Sequence, residues 1–327
     1  MDGGEEELTA HETALYDRQI RVWGVDAQKR LSKAHVLVSG LNGATVEFCK
    51  NIVLAGVGSV TLMDDRLVSE EVLGANFLIS LDEYANSNKS VAELCAESLR
   101  SFNPMVGVSF LSGDLSQMDG QFFDKFDVVV VCSFSQKDKI LINETCRKRQ
   151  KRIAFYTIDC RDSCGEIFTD LQNYTYMQKK GDERIERQLN YPSLEEAVLI
   201  PWKDLPRKVT KLFFAMRVLE KFELLEGRKP GETSLADLPS ISKLRKDLCE
   251  AQGLKESHVA DSLLERLLAA GKMEHPAVCA ILGGILGQEV IKAISGKGDP
   301  LKNFFYIDAA DGKGIIEDIT VPDAVTA

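Results

Sequence analysis

The sequence lacks the paired-cysteine motifs that commonly mark a structural zinc site. None of its eight cysteines forms a Cys-x-x-Cys pair, and its four histidines show no ligand spacing. We therefore predict no metal site and interpret the cysteines as reduced structural thiols in a cytosolic or nuclear compartment. The residues concerned are Cys49, Cys95, Cys132, Cys146, Cys160, Cys164, Cys249 and Cys279, with His11, His35, His258 and His275.

Positive charge and long apolar runs are also scarce. The formal net charge is −10, which argues against the basic surface that a nucleic-acid or anionic-membrane binder needs. No apolar run approaches the ~20 residues of a membrane span, and the acidic N-terminus lacks the apolar segment of a secretory signal. These absences predict a soluble globular protein that binds neither nucleic acid nor membrane.

A strand, a glycine turn, a helix and a second strand form the main candidate for a ligand site. An apolar run over residues 36–38 ends in a turn at residues 40–43, and a second β-type run ends in acid at Asp64. This order is typical of a nucleotide-binding βαβ unit. The turn departs from Gly-x-Gly-x-x-Gly, because Asn42 and Thr45 stand at the second and third glycine positions.

The order of the predicted elements indicates the domain organisation. Strands alternating with helices over residues 34–160 predict a doubly wound, Rossmann-like α/β sheet. The strongly charged residues 178–187 predict a linker or mobile loop, followed by helices. The predicted divisions are a disordered acidic tail at 1–10, an α/β domain formed by 11–177 and 271–327, and a helical insertion at 178–270.

Two other features have structural interpretations. The basic run over residues 147–152 predicts the solvated end of a helix, where cations are favoured. Three glycines in a strongly apolar C-terminal helix, Gly283, Gly284 and Gly287, predict close packing against another element. Cys160 and Cys164 follow a predicted strand, but a catalytic thiol would need a depressed pKa and a nearby activator, so we interpret both as structural thiols.

Three separated stretches resemble one family. Residues 16–24 read YDRQIRVWG and resemble the opening signature of the activating enzymes for ubiquitin-like proteins. Residues 275–292 resemble the helix that closes the adenylation domain of that family, and YPSLEEA at residues 191–197 also fits. Because the chain is short and has no inserted thioester domain, it most resembles the small, regulatory subunits of heterodimeric SUMO-activating enzymes.

The resemblance implies a MoeB/ThiF-like adenylation fold. Members bind ATP with magnesium and adenylate the C-terminal carboxylate of a ubiquitin-like protein. By resemblance, Gly40 and Gly43 match the glycine loop beneath the nucleotide. Asp64 matches the acid that binds the ribose, and Lys89 matches the lysine near the phosphates.

Other positions depart from the family pattern. Val72 stands where the family has Asn, Ala75 where it has Arg, and Phe134 near the magnesium Asp. Phosphates need cations and hydrogen-bond donors, and magnesium needs oxygen ligands. The apolar side chains of Val, Ala and Phe supply none of these groups. Asn42 also puts a side chain where the backbone would approach a phosphate. The resemblance therefore implies a degenerate pocket that holds no ATP or magnesium of its own.

The resemblance gives one residue a role in catalysis. In dimeric members, the Arg of the Tyr-Asp-Arg-Gln motif crosses the interface to the phosphates of ATP bound in the partner, and here it is Arg18. A guanidinium keeps its charge and binds phosphate oxygens as a fork. Supplied in trans, it would stabilise the pyrophosphate leaving group. Arg21 is a weaker candidate, and a surface or ion-paired role suits it better.

The resulting hypothesis is a subunit that is inactive alone and works within a heterodimer. The large catalytic subunit would bind ATP and magnesium, carry the thioester cysteine and dock SUMO and the conjugating enzyme. The expected compartment is the nucleus, with the cytoplasm as a second one. Alternatives are the equivalent subunit for another ubiquitin-like modifier, a self-sufficient MoeB-like homodimer, and an NAD-linked Rossmann oxidoreductase.

Overall fold

Ten strands provide the framework of the protein in the part of the chain that the computed structural model describes, residues 8–86, 88–181, 183–206 and 208–320. Eight of them belong to one mixed sheet, and two form a separate hairpin. The strands are β1 His35–Ser39, β2 Ser59–Met63, β3 Gly107–Phe110, β4 Val128–Val131, β5 Ala154–Arg161, β6 Cys164–Asp170, β7 Asn173–Lys180, β8 Glu183–Asn190, β9 Phe304–Asp308 and β10 Lys313–Glu317.

Fourteen α-helices, several of them only one or two turns long, accompany the strands within the same described residues. They are α1 Ala10–Leu15, α2 Asp17–Trp23, α3 Val25–Leu31, α4 Gly43–Ala55, α5 Glu70–Leu73, α6 Leu81–Asn86, α7 Val91–Arg100, α8 Gly120–Phe123, α9 Gln136–Arg147, α10 Leu194–Leu199, α11 Lys211–Glu226, α12 Leu238–Ala251, α13 Asp261–Ala270 and α14 Pro276–Ser295. Short 3₁₀ turns lie at Leu115–Gln117, Trp202–Asp204, Leu235–Asp237 and Glu256–His258.

The large sheet has the strand order β10-β9-β6-β5-β4-β1-β2-β3. Its half from β3 to β5 is parallel, and β6, β9 and β10 are antiparallel. In β1, Val36 and Val38 face one core and Leu37 faces the other, as expected for a parallel strand covered on both sides. The predicted doubly wound α/β fold is confirmed, and its topological switch point lies between β1 and β4.

Helices α4 and α14 pack closely against each other on one face of the sheet. A Cβ at Gly283 would lie 2.6 Å from the Glu47 Cβ, and one at Gly287 would lie 3.2 Å from the Asn51 Cβ. The packing role predicted for these two glycines is therefore confirmed. The prediction is wrong for Gly284, where an added Cβ would meet nothing within 4 Å.

Helix α14 is also unusually apolar. Among the described residues, it is the one helix whose length and composition would allow it to cross a membrane, with a mean hydropathy of 1.7. The expectation that no apolar stretch reaches that length is therefore wrong. More than half of the helix is buried inside the protein, and it packs on α4 and α3, so its composition is that of a central core helix.

The helices of the predicted insertion cover the second face of the sheet. Side chains of α10, α11, α12 and α13 share one core with inward-facing residues of β1, β4, β5, β6 and β9. The Phe213 ring of α11 lies 5.9 Å from the Phe304 ring of β9, and Phe304 lies 4.9 Å from Phe168 of β6. These helices therefore form one of the two layers on which the sheet packs.

The charged stretch over residues 178–187 does not form the predicted linker. Its residues 178–180 belong to β7 and its residues 183–187 to β8, and these two strands pair as an antiparallel hairpin. Tyr174 and Tyr176 stack against each other with ring centroids 5.9 Å apart, and the Tyr174 hydroxyl donates to the Lys292 carbonyl over 2.7 Å. Two aromatic residues of β7 thus fix the hairpin on the end of α14, while most of β8 is exposed.

The N-terminal segment and the basic run over residues 147–152 were also predicted from the sequence. Residues 1–7 of the predicted acidic tail lie outside the described residues, but Ala10 begins α1, whose cap is Thr9, so the tail prediction is wrong at that residue. The basic run does begin where a helix ends, because α9 ends at Arg147. Several of its cations are paired with acids, including Arg149 with Asp124 at 2.6 Å.

Candidate functional site

A cleft of about 310 Å³ opens at the carboxyl ends of β1, β2, β4 and β5, around the topological switch point. Its charged lining residues comprise six acids and four bases, so the lining is net negative, which is unfavourable for a polyphosphate. The acids are Asp64, Asp65, Glu71, Asp114, Asp159 and Glu232, and the bases are Arg66, Arg161, Lys229 and Lys272.

The glycine turn between β1 and α4 is closed by its own side chains. Gly40 has φ +84°, and an added Cβ would lie 2.2 Å from the Cys132 carbonyl oxygen, so the turn requires glycine there. The Thr45 hydroxyl accepts from the Asn42 N–H and lies 2.9 Å from the Gly40 carbonyl. The Asn42 side-chain amide donates to the Ser133 hydroxyl over 2.6 Å, across the switch point.

The carboxylate of Asp64, predicted to bind a ribose, is bound within the chain. Asp64 is buried and accepts the Leu41 N–H over 2.8 Å. The Arg66 guanidinium binds both of its oxygens as a fork, at 2.9 and 2.7 Å. The same guanidinium donates to the Asn42 amide oxygen over 2.7 Å. Arg66 therefore links Asp64 to Asn42, the altered position of the glycine turn, and occupies both oxygens of the carboxylate that was predicted to bind a ribose.

A second internal group occupies the other half of the turn. Glu274 accepts the Gly43 N–H at the start of α4 over 2.6 Å, and this helix end attracts negative charge. Burial raises the pKa of Glu274 to about 7, against the opposing effect of the Gly43 N–H. An added Cβ at Gly43 would lie 2.9 Å from the Cys279 Sγ. The absence of a side chain at Gly43 thus serves internal packing, and a carboxylate of the chain itself accepts the N–H at this helix start.

The remaining predicted positions supply little for a nucleotide. Val72 is buried, Phe134 lines the cleft, and the Ala75 Cβ lies against Gly43. Lys89 does not line the cleft, and its ammonium lies 2.5 Å from Glu97 and 3.7 Å from Glu93. Gly40 and Asp64 are therefore brought together with Asn42, while Lys89 lies apart from them.

Arg66 and Glu274 were not predicted from the sequence. A signal for Arg66 was present, because an arginine two residues after a strand-ending acid can fold back onto it. Glu274 lies 231 residues from Gly43 in the sequence, so no local pattern connects them.

Arg18 lies on α2, outside the cleft of its own chain. The helix is anchored by Tyr16, which is buried, accepts the Asn103 side-chain N–H over 2.9 Å, and fills the space over Gly56. Arg18 is exposed, and Val22, one turn later, is 81% exposed. Arg21 instead pairs with Asp17 at 2.8 Å. The anchoring holds α2 so that Arg18 and Val22 face away from the body.

The comparisons with known proteins agree with this architecture. Residues 16–324 match the model of the ThiF family. Two relatives from Arabidopsis thaliana are SUMO-activating enzyme subunit 1B-1, 64% identical over 98% of this chain and 99% of its own, and subunit 1A, 63% identical over 98% of each. SUMO-activating enzyme subunit 1 of Danio rerio is 31% identical over 95% of each chain.

A solved structure shares the fold. The crystal structure of selenomethionine PaaA matches 98% of this chain and 77% of its own, with a TM-score of 0.55 and 14% sequence identity. At that identity the likeness concerns the fold alone.

Proposed function

The chain belongs to the ThiF family, and from that premise we propose that it is the small, non-thioester subunit of a heterodimeric SUMO-activating enzyme. Its 64% identical relatives, matched over nearly their whole length, carry that subunit's name. The relatives favour SUMO over another ubiquitin-like modifier. In this role the chain supports ATP-dependent adenylation of the SUMO C-terminus and transfer to a cysteine of the large subunit.

The observation that carries this proposal is the Asp64–Arg66–Asn42 network. A working pocket would leave the strand-ending acid free for the ribose, whereas here a guanidinium holds both of its oxygens. Glu274 on the Gly43 N–H adds a negative charge where phosphate charge would have to bind. The residues present do not fit ATP with magnesium, so we assign ATP and magnesium to the partner subunit. The same network also opposes an NAD-linked dehydrogenase.

In this proposal the contribution of the chain to catalysis is Arg18, supplied in trans. Adenylation displaces pyrophosphate from the α-phosphate, so charge builds on the leaving group as the bond breaks. A guanidinium placed there by a rigid helix stabilises that charge without reorganisation. The exposed position of Arg18, with exposed Val22 beside it on α2, supports a contact with the partner at this face.

The large subunit then supplies the thioester cysteine and the docking surfaces for SUMO and the conjugating enzyme. This chain alone is inactive, and it works in the nucleus, with the cytoplasm as a second compartment. Its negative charge is compatible with a role that involves neither nucleic acid nor membrane.

The test compares Arg18 variants after co-purification with the large subunit. Arg18→Ala should leave the heterodimer intact and slow SUMO-dependent ATP–pyrophosphate exchange at least about tenfold, less than the roughly 10³–10⁵ of GTPase arginine fingers because the partner has cations of its own. The exchange rate of Arg18→Lys should lie between those of the wild type and Arg18→Ala, because lysine keeps the positive charge but cannot bind phosphate oxygens as a fork.

Arg21→Ala is the matched control, because that guanidinium lies on the same helix and is already held by Asp17. It should retain the wild-type rate. An Arg18→Ala heterodimer that exchanges pyrophosphate at the wild-type rate would remove Arg18 from the mechanism. Failure of the wild-type chain to restore thioester formation by the large subunit would refute the proposed function itself.

A further inference from the structure

Two thiols and a carboxylate form a cluster directly beneath the glycine turn. The Cys160 Sγ, the Cys279 Sγ and a carboxylate oxygen of Glu274 all lie within 4.8 Å of one another. They come from the end of β5, the first turn of α14 and the residue before its N-cap. No spacing motif joins them in the sequence, so cysteine spacing, on which the prediction of no metal site was based, gives no sign of this cluster.

The backbone holds these three residues in place. Asp162 donates its N–H to the Met273 carbonyl over 2.7 Å and accepts the His275 N–H over 3.3 Å. This short parallel pairing places Glu274 beside the end of β5. Cys279 is fixed in turn by α14, and its Sγ packs against Gly43. The ligand atoms are therefore preorganised by secondary structure on rigid elements.

One atom of the cluster is left without a partner. Glu274 Oε2 accepts the Gly43 N–H, but Oε1 is buried and has no hydrogen-bond partner among the described residues. A buried, unsatisfied carboxylate oxygen costs about 1–3 kcal/mol or more, and native structures usually satisfy such atoms with a partner, a water or an ion. The unpartnered oxygen belongs to a side chain that also lies beside two thiols, and this set of donors suits a divalent cation that accepts sulfur ligands.

We propose that Cys160, Cys279 and Glu274 bind a zinc ion. Zinc takes thiolate and carboxylate ligands in tetrahedral geometry, with Zn–S near 2.3 Å and Zn–O near 2.1 Å, which separates ligand atoms by roughly 3.6–3.8 Å. The cluster needs only small side-chain adjustments to reach that spacing. Two sulfur ligands favour zinc over magnesium or calcium. Binding releases the two thiol protons to solvent, and a water completes the fourth position.

The cleft provides a route of entry, because Cys160 is among the residues that line it. A bound zinc would join the end of β5, the start of α14 and the glycine turn at one point. It would also hold Glu274 against the Gly43 N–H, so the internal carboxylate would remain in the place of a phosphate. This site is independent of the proposed function, which concerns Arg18 and the partner.

The experiment measures metal in the full-length chain, alone and in the co-purified heterodimer. The untagged protein is dialysed against zinc and then against metal-free buffer, and zinc per chain is counted by mass spectrometry. We expect one zinc per chain. Replacement by Co²⁺ should give the intense visible bands of tetrahedral cobalt and a thiolate-to-metal charge-transfer band.

Three variants and one control assign the ligands. Cys160→Ser, Cys279→Ser and Glu274→Gln should each weaken zinc binding, measured by competition with a chromophoric chelator, at least about tenfold, the smallest loss that even an outer-shell change gives. Cys249→Ser removes a buried thiol from α12 in the other core and should bind zinc as the wild type does. In the heterodimer, the difference between variants and wild type isolates this site from any metal of the partner.

The wild-type measurement stands even if a variant fails to fold. Zinc-free wild-type protein, Co²⁺ spectra of an octahedral aqua ion, or an equal loss of zinc in Cys249→Ser would each overturn the site. A disulfide between Cys160 and Cys279 in protein purified under reducing conditions, found by peptide mass mapping, would also overturn it.

Discussion

At the scale of single residues, the cleft is shaped by groups that bind each other. Arg66 takes both oxygens of Asp64 and the amide oxygen of Asn42, and Glu274 takes the Gly43 N–H. In our proposal, these internal bonds occupy groups that a nucleotide would otherwise contact. The Asp64 carboxylate, the Asn42 amide oxygen and the Gly43 N–H therefore all have partners within the chain.

This network predicts the effect of removing its central side chain. Arg66→Ala leaves the buried Asp64 carboxylate with two backbone donors, the Leu41 N–H and the N–H of residue 66, and removes both guanidinium bonds, so the folded protein should lose about 1–2 kcal/mol of unfolding free energy. We expect a smaller loss of free energy than for a fully buried ion pair, because the Arg66 side chain is 43% exposed and water screens its charge. Urea denaturation followed by circular dichroism measures it.

The matched control is Arg21→Ala, which breaks an ion pair with two exposed partners. Such pairs contribute little to stability, so its urea midpoint should equal that of the wild type. A urea midpoint of Arg66→Ala equal to that of the control would mean that the Arg66–Asp64 ion pair does not stabilise the folded protein.

At the scale of elements, the contact between α4 and α14 connects the glycine turn to the core. Gly283→Ala would place its Cβ 2.6 Å from both the Glu47 Cβ and the Phe48 backbone nitrogen. Backbone atoms cannot move aside cheaply, so we expect a loss of about 1–3 kcal/mol in unfolding free energy. Thermal and urea unfolding of the purified chain measure it.

Gly284 provides the control within the same helix. A Cβ there meets nothing within 4 Å, so Gly284→Ala should be neutral or stabilise by up to about 1 kcal/mol through helix propensity. Equal destabilisation by the two substitutions would show that the α4–α14 contact is not as close as described.

The same scale shows why some elements could be predicted and others could not. The apolar runs of β1 and β4 and the glycine turn have local signals, and the parallel half of the sheet follows from them. The β7–β8 hairpin has a weak signal, because most of β8 is exposed and its charged residues do not alternate with buried ones. Tyr174, on which Tyr176 stacks, fixes it through a hydrogen bond to the Lys292 carbonyl of α14, far along the sequence.

In the candidate site, too, residues with a local sequence signal could be predicted and residues held by distant contacts could not. Gly40 and Asp64 could be identified from a local pattern, since the pattern is a property of one βαβ unit. Two side chains that contact the turn could not, because Glu274 and Cys279 reach it from just before α14 and from its first turn, far along the sequence. Residue order alone does not indicate which acid will face a given helix end. The cluster of Cys160, Cys279 and Glu274 is also visible only after folding.

At the scale of the whole molecule, the chain has the fold of the ThiF family, and its own side chains bind one another around the glycine turn of the cleft. Helix α2 is anchored by the buried Tyr16 and carries Arg18 and Val22 outward. In our proposal, the internally bonded glycine turn and the outward-facing Arg18 are complementary. The chain contributes a scaffold and one guanidinium, and the chemistry takes place at a nucleotide held by the partner subunit.

The number of ATP molecules bound by the heterodimer tests this central claim most directly. Equilibrium dialysis with labelled ATP and magnesium should give one ATP per heterodimer and no saturable binding by this chain alone. Arg18→Ala should leave that stoichiometry at one, because the variant changes the rate and not the location of the nucleotide. Two ATP molecules per heterodimer, or saturable binding by the isolated chain, would contradict the account.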